Sequence, residues 1–202
     1  MAELDIRTVT GGPLGVNTYV VGAVGGSECL LIDPGAEAER VQKAVGQRTV
    51  MAVLLTHGHF DHMLYAQHWL DQGARLYIHE DDAQALRSPS LNLSSVVNRQ
   101  LVLPQADVLL AEGDVVREAG VEFTVLHTPG HTPGGVCYLC GKHMFSGDTL
   151  FYRDCGRTDL PGGDEQELLR SLARLMKLDA DISAYPGHGM KTKIAWERGH
   201  FA

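Results

Sequence analysis

Apolar positions along the chain recur with two periods, and the changes between them lay out alternating strands and helices. Residues 17–21 and 28–32 read as strands on either side of Gly25-Gly26, which predicts a hairpin. Asp33-Pro34-Gly35 breaks the chain, and 37–45 carries helical spacing. Residues 50–55 form a continuous apolar run of strand length, the pattern of a strand buried on both faces. Helical spacing returns over 63–70 (Leu64, Trp69, Leu70), a strand over 75–78 and a helix over 80–86, followed by a polar loop at 88–98. Strands at 108–110, 115–117 and 121–127 are separated by Glu112-Gly113-Asp114 and Ala119-Gly120. Residues 136–139 and 144–145 predict a hairpin around Gly141. The clearest amphipathic helix is 165–178, with Leu168, Leu169, Leu172, Leu175 and Met176 along one side. A strand at 182–185 and a helix at 192–198 close the series. Paired strands with helices between them predict a layered α/β sandwich.

With 202 residues, 44 % apolar and 21 % charged, the chain fits one soluble globular domain spanning 1–202. No stretch approaches the roughly 18 to 20 apolar residues of a membrane helix. The N-terminus shows no basic segment followed by an apolar block, so a cytoplasmic protein without a membrane partner is expected. A net charge of -8 disfavours nucleic acid and phospholipid surfaces. An anionic small substrate would need a local cluster of Arg or Lys. Cys29, Cys137, Cys140 and Cys155 are scattered, which favours free thiols. Cys137 and Cys140 are three apart on one strand and point to opposite faces, so they read as core residues rather than half a zinc site.

The 50–55 strand delivers His57-Gly58-His59-Phe60-Asp61-His62. Alternation in an extended segment aims His57, His59 and Asp61 the same way, and a helix starting at Asp61-His62 turns His62 inward as well. Gly58 permits tight backbone geometry there. Thr128-Pro129-Gly130-His131, Ser146-Gly147-Asp148-Thr149 and Tyr185-Pro186-Gly187-His188-Gly189 each end a strand in a glycine turn. One strand-end histidine is ordinarily a surface residue. Five histidines and two aspartates at four strand ends are a divalent-metal constellation. His68, His79, His127, His143 and His200 lack that context.

In this order the motifs resemble the metallo-β-lactamase superfamily from residue 17 to about 196. The resemblance implies an α/β fold, a four-layer αββα sandwich, with two divalent ions at one edge of the sheets. Zinc is the first expectation, with iron or manganese as alternatives. His57, His59 and His131 would hold one ion, Asp61, His62 and His188 the other, and Asp148 would bridge them. Asp61 would also orient the nucleophile and take its proton.

Gly156-Arg157-Thr158-Asp159 after Gly147-Asp148-Thr149-Leu150-Phe151 looks like the small glyoxalase II-like thioesterases. The implied reaction is hydrolysis of S-lactoylglutathione-like hydroxyacyl thioesters, with Arg157 holding the anionic carrier and Arg153 and Lys191 as further candidates. Asp148 argues against the true β-lactamases, which lack that carboxylate. Compared with the larger glyoxalases, a single domain without their C-terminal helical domain is expected, and Met190 stands where a tyrosine is usual. A monomer or a homodimer is expected. Persulfide dioxygenases share the histidine motifs and the Gly-Arg-Thr-Asp segment. That alternative implies one iron on His57, His131 and Asp148, acting on glutathione persulfide.

Overall fold

Strand periodicity resolves into two six-stranded sheets packed face to face in a computed structural model that describes residues 3–201. The first sheet runs β1 (Leu4–Gly11), β2 (Val16–Ala23), β3 (Glu28–Ile32), β4 (Thr49–Leu54), β5 (Arg75–His79) and β6 (Val108–Leu110), in spatial order. Its first three strands are antiparallel, and β3 to β6 are parallel. The second sheet contains β7 (Val115–Glu118), β8 (Val121–His127), β9 (Val136–Cys140) and β10 (His143–Gly147). A short ribbon of β11 (Leu150–Phe151) and β12 (Asp154–Cys155) then precedes β13 (Ser183–Pro186) and β14 (Thr192–Lys193), giving the order β14-β13-β10-β9-β8-β7.

Helices α1 (Ala38–Val45), α2 (Phe60–Met63) and α3 (Ala66–Leu70) accompany the first sheet, and α4 (Glu165–Leu175) and α5 (Ile194–Phe201) the second. Alternation along the strands sorts the core into three apolar layers. Leu31, Val53 and Leu76 face Val41 and Trp69 of the helices, whereas Leu30, Ile32 and Leu54 meet Phe123, Tyr138 and Phe145 between the sheets. Met144 and Ala184 pack under Leu168, Leu172 and Leu175. The molecule is thus the four-layer αββα sandwich. Cys137 and Cys140 fall in different layers, as their spacing requires.

Local differences from the sequence pattern have physical reasons. The 63–70 helix is interrupted because the Tyr65 amide donates to Pro34 O at 2.9 Å instead of continuing the helix. Residues 80–87 wind as a 3-10 helix, and a further 3-10 turn (Ser94–Val97) lies in the 88–98 loop. Strand β1 shows no regular apolar alternation in the sequence, because Leu4 and Ile6 pack between the sheets whereas Val9 packs on the helix side. Only Leu4, Ile6 and Val9 pack against the core.

Direction places the chemistry. Strands β8 and β10 are each antiparallel to β9 and so run the same way, and β13 is parallel to β10. Their C-terminal ends lead to His131, Asp148 and His188, and β4 leads to His57.

Candidate metal centre

The end of β4 is gripped from both sheets. Leu55 N donates to Tyr77 O at 3.0 Å, and Val136 N donates to Thr56 O at 2.8 Å. The next residue, His57, therefore leaves a fixed backbone. His57 Nε2 lies 3.1 Å from His59 Nδ1, which lies 2.9 Å from His131 Nε2. These separations are a little inside the roughly 3.4 Å expected of nitrogens sharing a tetrahedral ion. Burial and the neighbouring rings push the His57 imidazole well below its ordinary range and His59 to about 3, so both keep free lone pairs at neutral pH.

Asp61, His62 and His188 form a second group, with His188 Nε2 3.2 Å and His62 Nε2 3.7 Å from Asp61 Oδ2. Asp148 stands between the groups. Its Oδ1 is 3.3 Å from His62 Nε2, and its Oδ2 is 3.6 Å from His131 Nε2 and 3.7 Å from His188 Nε2. Burial alone would lower the His62 pKa, but Asp148, Asp33 and Asp61 outweigh it and raise it well above the ordinary value. Against the opposing pull of burial, His62 in turn holds the Asp148 and Asp61 carboxyls below the usual range.

The residues fit a pair of cations. His62 Nε2 and Asp148 Oδ1 are buried and, despite their 3.3 Å approach, make no hydrogen bond; both point into the same space. Donors of this type in groups of three suit borderline divalent metals.

Outer partners fix the rings, and sequence reasoning missed most of them. Asp33 Oδ2 accepts from His62 Nδ1 at 2.8 Å and from Thr56 Oγ1 at 2.7 Å, while Oδ1 accepts from Thr56 N at 2.8 Å. The His62 ring is thereby oriented with Nε2 inward. His131 Nδ1 donates to Arg157 O at 2.7 Å, with the same effect. Buried Asp82 ties two ligand loops together. It accepts from Gly58 N at 2.8 Å, Thr132 Oγ1 at 2.8 Å and Gly134 N at 2.7 Å. The available signal for Asp33 was its place at the end of the strand beside β4, where a carboxylate has no surface role. Gly187 is needed for closeness, since a Cβ there would run into the Asp148 carboxylate and reach 2.5 Å from His62 Cε1.

A cavity of about 490 Å³ opens over His59, Asp61, His131, Asp148 and His188, and Arg157 is in its wall. The Arg157 guanidinium forms a two-pronged ion pair with Asp159, at 2.6 Å for each contact. Arg153 and Lys191 do not line this cavity. Arg153 stacks over the Tyr152 ring, and Lys191 borders a separate groove with Tyr19 and Tyr185. Met190 is exposed beside His188, outside the same cavity.

Two facing sheets with histidine and aspartate ligands at their shared edge define a metal-binding αββα protein. The family model of the metallo-beta-lactamase superfamily matches residues 11–188, and the chain belongs to that superfamily. Hydroxyacylglutathione hydrolase GloC of Haemophilus influenzae is 36 % identical over 184 residues, 83 % of each chain. Among solved structures, BLEG-1 B3 metallo-beta-lactamase superposes with a TM-score of 0.92 at 36 % identity, covering 98 % of both chains. TTHA1623, solved in a di-iron-bound form, superposes with a TM-score of 0.81 at 36 % identity, covering 96 % of this chain and 98 % of that one. Among the described residues no helix is long and apolar enough to cross a membrane.

Proposed function

We propose that the protein is a dinuclear metal-dependent hydrolase of hydroxyacyl thioesters, of which S-lactoylglutathione is the reference substrate. The observation that carries this reading is the convergence of two ligand groups on the carboxylate of Asp148. The likeness to GloC supports the thioester.

Two divalent ions held at this centre would provide hydroxide near neutral pH and polarise the scissile carbonyl. His57, His59 and His131 would hold one ion and Asp61, His62 and His188 the other. Asp148, which lies within reach of His62 and His131, would offset the repulsion between the ions. Asp61 borders the cavity, with Oδ2 held by His188, and it is placed to orient the attacking water and accept its proton. Arg157 is the cavity's basic side chain and the candidate contact for a carboxylate on the thiol carrier, once exchanged from Asp159.

The mononuclear dioxygenase alternative needs only His57, His131 and Asp148. It leaves the geometry of Asp61 and His188 without a task. Purified protein should hold close to two zinc, iron or manganese ions and release thiol from S-lactoylglutathione. One iron per chain with oxygen uptake on glutathione persulfide would overturn the proposal. The likeness to BLEG-1 makes a β-lactam the control substrate.

A further inference from the structure

The cavity that holds the metal ligands at its base has walls of apolar side chains delivered by separate loops. Leu14 comes from the turn between β1 and β2, Val96 and Val97 from the 3-10 turn at 94–97, and Phe151 and Leu160 from the chain after β10. Leu14, Val96 and Val97 are 57 %, 76 % and 44 % exposed, an arrangement that costs solvation energy unless something apolar covers it.

That exposure is built into the backbone. Leu93 and Asn98, at either end of the turn, hold φ of 66° and 55°, a left-handed conformation that is rare for leucine. The Asn92 side chain pins the segment, donating to Ala85 O at 2.8 Å and Leu101 O at 3.0 Å and accepting from Ser94 N at 3.0 Å. Asn92 O accepts from Phe60 N at 2.8 Å, so the apolar wall is tied to the helix that carries Asp61 and His62.

Charge is the second observation. Arg157 is the basic side chain among the lining residues apart from the histidines, and it is matched by Asp159, whose carboxyl it draws down to about 2. A carrier with two carboxylates must displace Asp159 to reach that one cation, whereas an alkyl chain meets Leu14, Val96, Val97, Phe151 and Leu160 around the same cavity.

We propose that the site takes thioesters with an apolar acyl chain of medium length, bound along Leu14, Val96, Val97 and Phe151, in preference to lactoyl thioesters of glutathione. This rests on the thioester reading above. Water adds its oxygen to the carbonyl carbon, the C–S bond breaks, and the products are a fatty acid and the thiol that carries away the remaining proton.

The test is kcat/KM for acetyl, butanoyl, hexanoyl and octanoyl thioesters on neutral N-acetylcysteamine and on glutathione, with S-lactoylglutathione beside them. Protein loaded with two metals per chain is used throughout. The value should rise roughly three- to fourfold per methylene, whichever carrier is used. The double variant Val96→Ser, Val97→Ser should flatten the octanoyl-to-butanoyl ratio while metal content by elemental analysis holds. A flat or falling series with S-lactoylglutathione fastest overturns the apolar chain and leaves the thioesterase standing. An unchanged ratio in the double variant, accompanied by loss of a dimer in gel filtration, also overturns it, by showing that the wall is an interface between copies. No hydrolysis of any thioester overturns the reading beneath it.

Discussion

Asp33 Oδ2 accepts a hydrogen bond from His62 Nδ1 at 2.8 Å, joining the end of β3 to a ligand delivered by the end of β4. The same oxygen takes the Thr56 hydroxyl, whose Oγ1 is 3.1 Å from His57 Nδ1. One carboxylate outside both ligand groups therefore sets a ring in each of them.

Asp33→Asn should weaken binding of the ion assigned to Asp61, His62 and His188 by about 10–100-fold, the usual cost of losing an outer partner. Asparagine tolerates the φ of 51° at this position, so the fold should persist. Competition with a chromophoric chelator measures the change. Unaltered affinity for both ions would deny Asp33 this role.

Gly187→Ala should abolish activity while the thermal transition of the metal-free chain stays cooperative. The added methyl meets the Asp148 carboxylate and the His62 ring, and both must move. Metal analysis together with circular dichroism separates this from general unfolding.

Acid should remove the two ions at different pH values. His62 binds a proton above the ordinary imidazole range in the metal-free protein, so an ion entering beside it must displace that proton. Falling pH favours the proton, and affinity at Asp61, His62 and His188 falls with it. His57 lies well below the ordinary range and His59 at about 3, so those rings take up protons only in stronger acid. Dialysis from about pH 8 to about pH 5 should leave the ion on His57, His59 and His131 in place longer. Simultaneous loss of both would contradict the assignment.

How much of this was legible in the sequence differs by residue. His57, His59, Asp61, His62, His131, Asp148 and His188 stood out because imidazoles and carboxylates accumulated at strand ends, and the structure brings those seven together. Asp33 and Asp82 did not stand out, because a lone carboxylate in a turn reads like any turn residue. Their roles come from partners distant in the chain, such as Thr56 and Thr132. The layers were legible from paired strands and helices, whereas the break at Tyr65 depends on Pro34 O, a contact that no local pattern encodes. Arg157 was visible as a cation within pairing reach of Asp154 and Asp159, and the loop conformation selects Asp159.

Asp61→Asn should lower kcat by about 10²–10⁴-fold, the range of a general base, with at least one ion retained. Stopped-flow release of thiol measures it, and turnover that survives would remove Asp61 as the proton acceptor. Arg157→Ala should mainly raise KM for S-lactoylglutathione and leave kcat nearly unchanged, because Arg157 borders the cavity and is not among the ligands. A pure kcat loss would count against a binding role.

The most direct test of the dinuclear hydrolase is titration of metal-free protein with zinc or ferrous ion under argon, following thiol release from S-lactoylglutathione at each increment. Activity should climb to a plateau at two ions per chain and need no oxygen. A plateau at one ion, or turnover that appears only when oxygen is admitted, would contradict it.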